Sequence, residues 1–175
     1  MLSHAGKRLA DDHVALDEVL KALQAALNSG DSKTAFGKLD LFWARLAVHI
    51  RAEHLHLFPA VSSHSGDANV DRALEGLRAD HDFFMHELAR AIAIVREVLN
   101  TRDSATIIRE LNAVREVVVA VEQRLVVHNE IEESQVYRLA TDILREQEQA
   151  ELALKINKEL AHHPPRFAAD TWLGE

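Results

Sequence analysis

A chain of 175 residues is long enough for one domain with a sizeable core, and with six glycines and three prolines among abundant alanine, leucine, glutamate and arginine it has the composition of helices. Its formal net charge of −8 offers no basic footprint for a phosphate backbone or an anionic membrane surface, so neither nucleic acid nor membrane is an expected partner. Without cysteine there can be no disulfide, thiolate catalysis, iron–sulfur cluster or cysteine zinc site; any metal must be held by nitrogen and oxygen, and eleven histidines call for explanation.

The amino terminus shows no signal-peptide core, and the longest apolar runs, such as Val117 to Val121, are too short to cross a bilayer, so a cytoplasmic protein is expected. Caps and breakers at Asn28 to Asp31, Ser62 to Asp67, Asn100 to Ser104 and Thr141-Asp142 delimit four long helices and a shorter fifth. The first carries Leu9, His13, Leu16, Leu20, Leu23 and Leu27 at steps of four and three, the spacing of a bundle-facing stripe. The second carries Leu39, Phe42, Leu46, His49, Glu53 and Leu57. On the third the stripe is Val70, Leu74, Leu77, His81, Phe84, Leu88, Ala91 and Val95, and on the fourth Ile107, Leu111, Val114, Val118, Val121, Leu125, His128 and Glu132. The fifth, about 142–160, is amphipathic and charged and is expected to pack outside the bundle, followed by a loosely held tail over 162–175. One domain is therefore expected over 1–161.

The chain repeats itself. Leu9-x-x-Asp12-His13 matches Leu77-x-x-Asp80-His81, and His49-x-x-x-Glu53 with Leu57-Phe58 matches His128-x-x-x-Glu132 with Val136-Tyr137. Two similar hairpins sharing a core imply an all-α, antiparallel, up-and-down four-helix bundle with pseudo-twofold symmetry and an added C-terminal helix.

Heights in such a bundle follow from counting residues to a shared loop at about 1.5 Å per residue. By that count His13, His49 and His81 fall at one level, whereas His128 lies about five residues further from its loop than His81, an offset that a longer connection would absorb. In each His-x-x-x-Glu segment imidazole and carboxylate share a helix face. One such spacing is expected by chance here, so the weight rests on placement: a histidine where each of four stripes calls for an apolar residue, with two glutamates beside them. Buried without partners, these six groups would cost several kcal/mol each, roughly. Coordination of two ions removes that cost, the carboxylates bridging and the histidines capping. His13, His49, Glu53, His81, His128 and Glu132 are thus the candidate metal ligands.

Other residues have blander readings. His56 makes a ferritin-like Glu53-x-x-His56, but Gln135 stands at the matching place in the other half. His54 and His86 lie off the stripes and are expected on the surface. Asp17 lies just off its stripe and is expected to be solvated or to support a ligand from behind, not to ligate. Asp12 and Asp80 are expected to be caps or surface charges. Tyr137, the one tyrosine, is expected to pack in the core, with a hydrogen bond to the site as the alternative.

The pattern from His13 to Tyr137 resembles the hemerythrin-like HHE family of cation-binding domains, its most specific part being His49-x-x-x-Glu53 running into Leu57-Phe58-Pro59. The resemblance implies a four-helix bundle with two non-haem iron ions, His13, His49, His81 and His128 as terminal ligands and Glu53 and Glu132 as bridges. Spacing alone equally admits manganese or zinc. The oxygen carriers of that family have a His-x-x-x-His pair on the third helix, whereas Leu77 and Met85 stand four residues either side of His81. The departure implies a more open metal position. The expected function is uptake of a diatomic or peroxide ligand, with peroxide decomposition, or iron or oxygen sensing or buffering through a partner, as the competing classes.

Overall fold

The computed structural model describes residues 2–162, and every regular element among them is helical. Ser3 caps α1 (His4–Ser29) by accepting from the Gly6 amide. α1 turns into α2 (Ser32–Ala52) through Gly30, whose φ of 74° is the left-handed conformation glycine adopts without penalty, and Asp31 caps the new helix from the Thr34 amide at 3.0 Å. α2 does not end at Ala52. It passes through one π-helical turn, Glu53–Leu57, into α3 (Phe58–Ser65). Asp67 starts α4 (Ala68–Val98), Asp103 starts α5 (Ser104–Ile131), and α5 passes through a second π-turn, Glu132–Val136, into α6 (Tyr137–Ile143). α7 is Glu146–Leu160.

The expected stop at Thr141-Asp142 is not where the fourth rod ends. Thr141 donates its hydroxyl to the Tyr137 carbonyl at 2.9 Å inside the last turn, and the chain leaves the helix only at Leu144, with ψ of 138°. The C-terminal helix accordingly starts at Glu146. Apart from His162, the expected loose tail lies outside the described residues.

Contacts between α1 and the last rod pair Ser3 with Thr141, His13 with Glu133, Gln24 with Glu122 and Leu27 with Arg115, so one number falls as the other rises and the two run antiparallel. α1 packs on α2, α4 on α5 and α2 on α4. α7 lies across α1 and α2, burying Leu152, Ala153, Ile156 and Leu160.

Apolar side chains form two clusters at different heights. One, including Leu16, Leu20, Phe42, Leu46, Phe84, Leu88 and Leu125, fills the end near the Gly30 turn; the other, including Leu9, Ala52, Leu57, Phe58, Leu77, Val136 and Ile156, fills the end that α3, α6 and α7 close. His13, His49, His81 and His128 each fall between a residue of the first cluster and one of the second along their own helices. A buried polar layer thus separates two apolar ones.

Candidate metal centre

That layer contains all six candidate ligands. His13 is 5% exposed, His49, His81 and His128 are 2% exposed, and Glu53 and Glu132 are fully buried. The four rings meet in pairs through Nε2, His13 with His49 at 3.1 Å and His81 with His128 at 2.9 Å. The offset counted for His128 along α5 does not keep it from this level.

Each carboxylate reaches both pairs. Glu53 presents Oε1 to His49 at 3.6 Å and Oε2 to His81 at 3.3 Å; Glu132 presents Oε2 to His13 at 3.4 Å and Oε1 to His128 at 3.0 Å. Donor atoms of His13, His49, Glu53 and Glu132 all lie within 4.8 Å of one another, as do those of His81, His128 and Glu132. Ligands about 2.1 Å from one ion and at right angles stand about 3.0 Å apart, so these separations suit edges of a coordination shell.

Two of the carboxylate oxygens, Glu53 Oε2 and Glu132 Oε1, are buried without a hydrogen bond. Glu132 Oε1 is 3.0 Å from His128 Nε2, yet the geometry makes no hydrogen bond. An orphaned buried carboxylate oxygen is costly, and both face the His81 and His128 side. The residues therefore fit a bound cation better than they fit one another.

The outer nitrogens fix which face each ring turns inward. His49 Nδ1 lies 3.0 Å from Asp12 Oδ2 and His128 Nδ1 lies 3.1 Å from Asp80 Oδ2; Arg45 and Arg124 hold the other oxygens of these carboxylates at 3.0 and 2.7 Å. An ionised carboxylate only accepts, so Nδ1 donates and Nε2 keeps its lone pair for a cation. Asp12 and Asp80 are thus neither caps nor free surface charges. Each sits one residue before a site histidine, too far round its own helix to touch that ring, and reaches the partner helix of its hairpin instead.

His13 Nδ1 donates to Glu133 at 2.8 Å, while His81 Nδ1 meets His54 Nε2 at 2.8 Å. His54 and Glu133 each follow one of the two buried glutamates, and each reaches the other hairpin. His54 is consequently half-buried against the site, not on the surface as its off-stripe position suggested. Burial, the neighbouring His81 and Arg78 all lower its pKa.

The π-turns place the last groups. Five residues along an α-helix turn a side chain about 140° past a full turn, away from the starting face. In a π-turn the fifth residue comes back over the first: the Phe58 amide donates to the Glu53 carbonyl and the Tyr137 amide to the Glu132 carbonyl. Phe58 stacks on His81 and Tyr137 on His13, both at 5.9 Å between centroids. The fully buried Tyr137 hydroxyl donates to Glu53 Oε1 at 2.8 Å and lies 3.3 Å from both Glu132 Oε2 and His13 Nε2. Gly6 of α1 makes room for it, since a Cβ there would stand 3.0 Å from the Tyr137 Cβ.

The π-turn also carries His56 away from the layer. It is half-buried and faces Glu159 of α7 at 3.6 Å, and Gln135 is exposed, so no ferritin-like pair forms. Asp17 and His86 are exposed. Leu77 is buried in the cluster closed by α3, α6 and α7 and Met85 packs half-buried against the cluster near the Gly30 turn, so neither flank of His81 adds a donor.

The field of the layer favours cations. Burial pulls His49 down, but Glu53 and Asp12 outweigh it and raise its pKa to about 10. His128 is raised in the same way, by Glu132, Glu53 and Asp80 against burial. Glu132 lies well below the usual carboxylate range because His128, His13 and His81 outweigh its burial. Burial and the two glutamates push the Tyr137 hydroxyl well up, so it keeps its proton.

A buried layer of histidine and glutamate donors at coordination spacing, inside an all-helical fold, defines a cation-binding helical domain. The hemerythrin HHE cation-binding domain matches residues 4–163, nearly the whole chain, and the chain belongs to that family. Comparison with curated proteins and with solved structures gives no match. No described helix is long and apolar enough to cross a membrane.

Proposed function

We propose that the chain is a non-haem di-iron protein, an antiparallel up-and-down four-helix bundle with an added C-terminal helix, that takes up oxygen or a related small oxidant. His13 and His49 would hold one ion, His81 and His128 the other, and Glu53 and Glu132 would span the two. The observation that carries this reading is the carboxylate geometry: each glutamate offers one oxygen to each histidine pair, which a single ion would leave half unused. Manganese or zinc would satisfy the same donors; iron is the choice because the resemblance to the hemerythrin family implies it, and an iron pair would supply the electrons that reduction of an oxidant requires.

The chain's own groups orient and insulate the centre. Asp12, Asp80 and Glu133 fix the tautomers of His49, His128 and His13. Phe42, Leu46 and Leu125 wall off the Gly30 end and leave about 10 Å³ for the centre of a water-sized molecule, roughly what one water needs. Only a very small molecule can approach the donors from that side. Tyr137 supplies a proton donor against Glu53.

Peroxide decomposition is the second reading, favoured by one observation: the His81 and His128 half gathers only three mutually close donors where the other gathers four. The cytoplasm is the proposed location, and no nucleic-acid or membrane partner enters the reading. Elemental analysis of protein purified without a histidine tag tests it. Two iron ions per chain are expected; reproducibly one ion, or none, overturns it.

A further inference from the structure

We propose that small solutes reach the metal layer through the cleft between α1 and α5, and that its acidic rim admits neutral and cationic solutes ahead of anions. This rests on the metal-centre reading above and adds to it the route and the charge of what is let in.

Two spaces meet here. The inner one is the small chamber walled by Leu16, Phe42 and Leu46 and floored by the site histidines and Glu132, whose unpartnered Oε1 lies in the fully buried carboxylate. The outer one is a surface groove of about 410 Å³ between α1 and α5. His13, Asp17, Leu125 and Asn129 line both, so the two spaces adjoin at a neck closed by these four side chains. The larger grooves at the α4–α5 turn and between α3 and α7 share no lining residue with the chamber.

The neck has a structural reason. α1 and α5 belong to different hairpins, and they are tied above the neck by Gln24 to Glu122 at 2.7 Å and below it by His13 to Glu133 at 2.8 Å. Between these ties the residues shared by both spaces are Asp17 on α1 and Leu125 and Asn129 on α5. His13 is held by Glu133 and Leu125 belongs to the core, which leaves exposed Asp17 and half-buried Asn129 as the two groups free to give way.

Charge at the mouth is one-sided. Asp17, Glu122, Glu130 and Glu133 line the groove against a single ammonium, Lys21, which is bound to Glu18 at 2.8 Å. Val14 and Val126 flank it at 63% and 64% exposure, and apolar walls sharpen the field of the carboxylates. Oxygen and hydrogen peroxide carry no charge to be repelled, and a divalent cation is drawn in.

The test uses the full chain loaded with iron, with metal content measured first. Azide serves as the anionic probe of the oxidised protein and nitric oxide as the neutral probe of the reduced protein, each followed by absorbance in stopped flow. Asn129→Trp should plug the neck and slow both probes about tenfold or more. Asp17→Lys combined with Glu130→Lys should speed azide on the order of tenfold at low salt, leave nitric oxide unchanged, and lose its advantage at high salt. The same pair should slow uptake of ferrous ion by the metal-free chain, while Glu75→Lys, at an exposed position of α4, should alter nothing. If Asn129→Trp fails to fold, the charge reversals decide. Rates within twofold of wild type in the folded variants, with two ions present, overturn the entry alone; wild-type protein that takes up no ion removes the centre and the entry together.

Discussion

Tyr137 and Phe58 hold equivalent places in the two halves, each five residues beyond a buried glutamate of the layer and each 5.9 Å from a site histidine, but only Tyr137 brings a hydroxyl, and that hydroxyl donates to Glu53 of the opposite half. The same asymmetry recurs one residue after each glutamate, where His54 on His81 answers Glu133 on His13. The pseudo-twofold that supplies six like donors therefore surrounds them unequally: a carboxylate and a hydroxyl back the His13 side, an imidazole and a phenyl ring the His81 side.

Loss of metal should loosen the fold. Ions that bind only the native state stabilise it by about 2.7 kcal/mol each at a concentration 100-fold above Kd, and a chain of this length shifts its melting temperature by roughly 2–4 °C per kcal/mol. Chelated protein should melt about 10 °C or more below the two-iron protein in calorimetry. Equal melting temperatures at neutral pH would place the ions somewhere other than this layer.

Without metal, stability should fall as pH rises. His49 has a folded-state pKa of about 10 against an ordinary value of 6.5, so its contribution is complete below about 6.5 and is lost as pH climbs through about 10. His128 is raised too and acts in the same direction. Each proton released contributes a slope of up to about 1.4 kcal/mol per pH unit. Urea titrations of metal-free protein between pH 6 and 10 should show the decline, and His49→Gln should flatten it. The iron-loaded protein should respond oppositely, weakening in acid as protons compete for its histidines. A metal-free protein of constant or rising stability across that window contradicts the assignment.

Asp12→Ala and Asp80→Ala should each weaken metal binding about 10- to 100-fold, because each frees the Nδ1 of one inward-facing ring, His49 or His128. The two variants should behave alike in competition with a chelator, and Asp11→Ala, whose carboxylate is exposed and bound to Lys7, should not. Affinities unchanged in both would show that the aspartates do not orient the rings.

The six donors were legible in the sequence because a helix repeats its inward face on a fixed period: His13, His49, His81 and His128 interrupt apolar stripes, and burial without partners is costly enough to give that interruption meaning. The stops at Gly30 and Gly66 were legible from glycine, which alone takes a positive φ without strain. The π-turns were not, since no residue type specifies an i to i+5 hydrogen bond, and an α-helical phase carries Tyr137 and Phe58 away from the site. Asp12 and Asp80 carried a signal that was open to use, as both halves repeat the Asp-His pair. His54 and Glu133 hid theirs, because equivalent positions hold unlike residues.

The last prediction separates carriage of oxygen from its chemistry. On the His81 side three donors lie mutually close, and Leu77 and Met85 add none, so coordination is more open there than in a site with a second third-helix histidine. A chamber of about one water's size lies beside the histidines, and Tyr137 keeps its proton on the His13 side, against Oε1 of Glu53, whose other oxygen faces His81; the Tyr137 pKa is held well above the ordinary value by burial and by Glu132 and Glu53. Decomposition of two hydrogen peroxide molecules to two waters and one oxygen needs protons redistributed without any outside reductant, which a retained phenolic proton can assist. The reduced iron-loaded protein should therefore oxidise in air, and the oxidised protein should decompose hydrogen peroxide at a measurable rate. Tyr137→Phe should keep both ions and the fold, since Phe58 occupies the equivalent place in the other half, yet lower peroxide turnover by roughly 10²-fold or more if the hydroxyl acts as a proton donor. Oxygen-electrode turnover, metal content and melting temperature measured on both proteins distinguish that loss from simple destabilisation. A long-lived spectral change on mixing reduced protein with oxygen that reverses on deoxygenation, together with no peroxide turnover, would falsify the enzymatic reading and leave a reversible oxygen carrier.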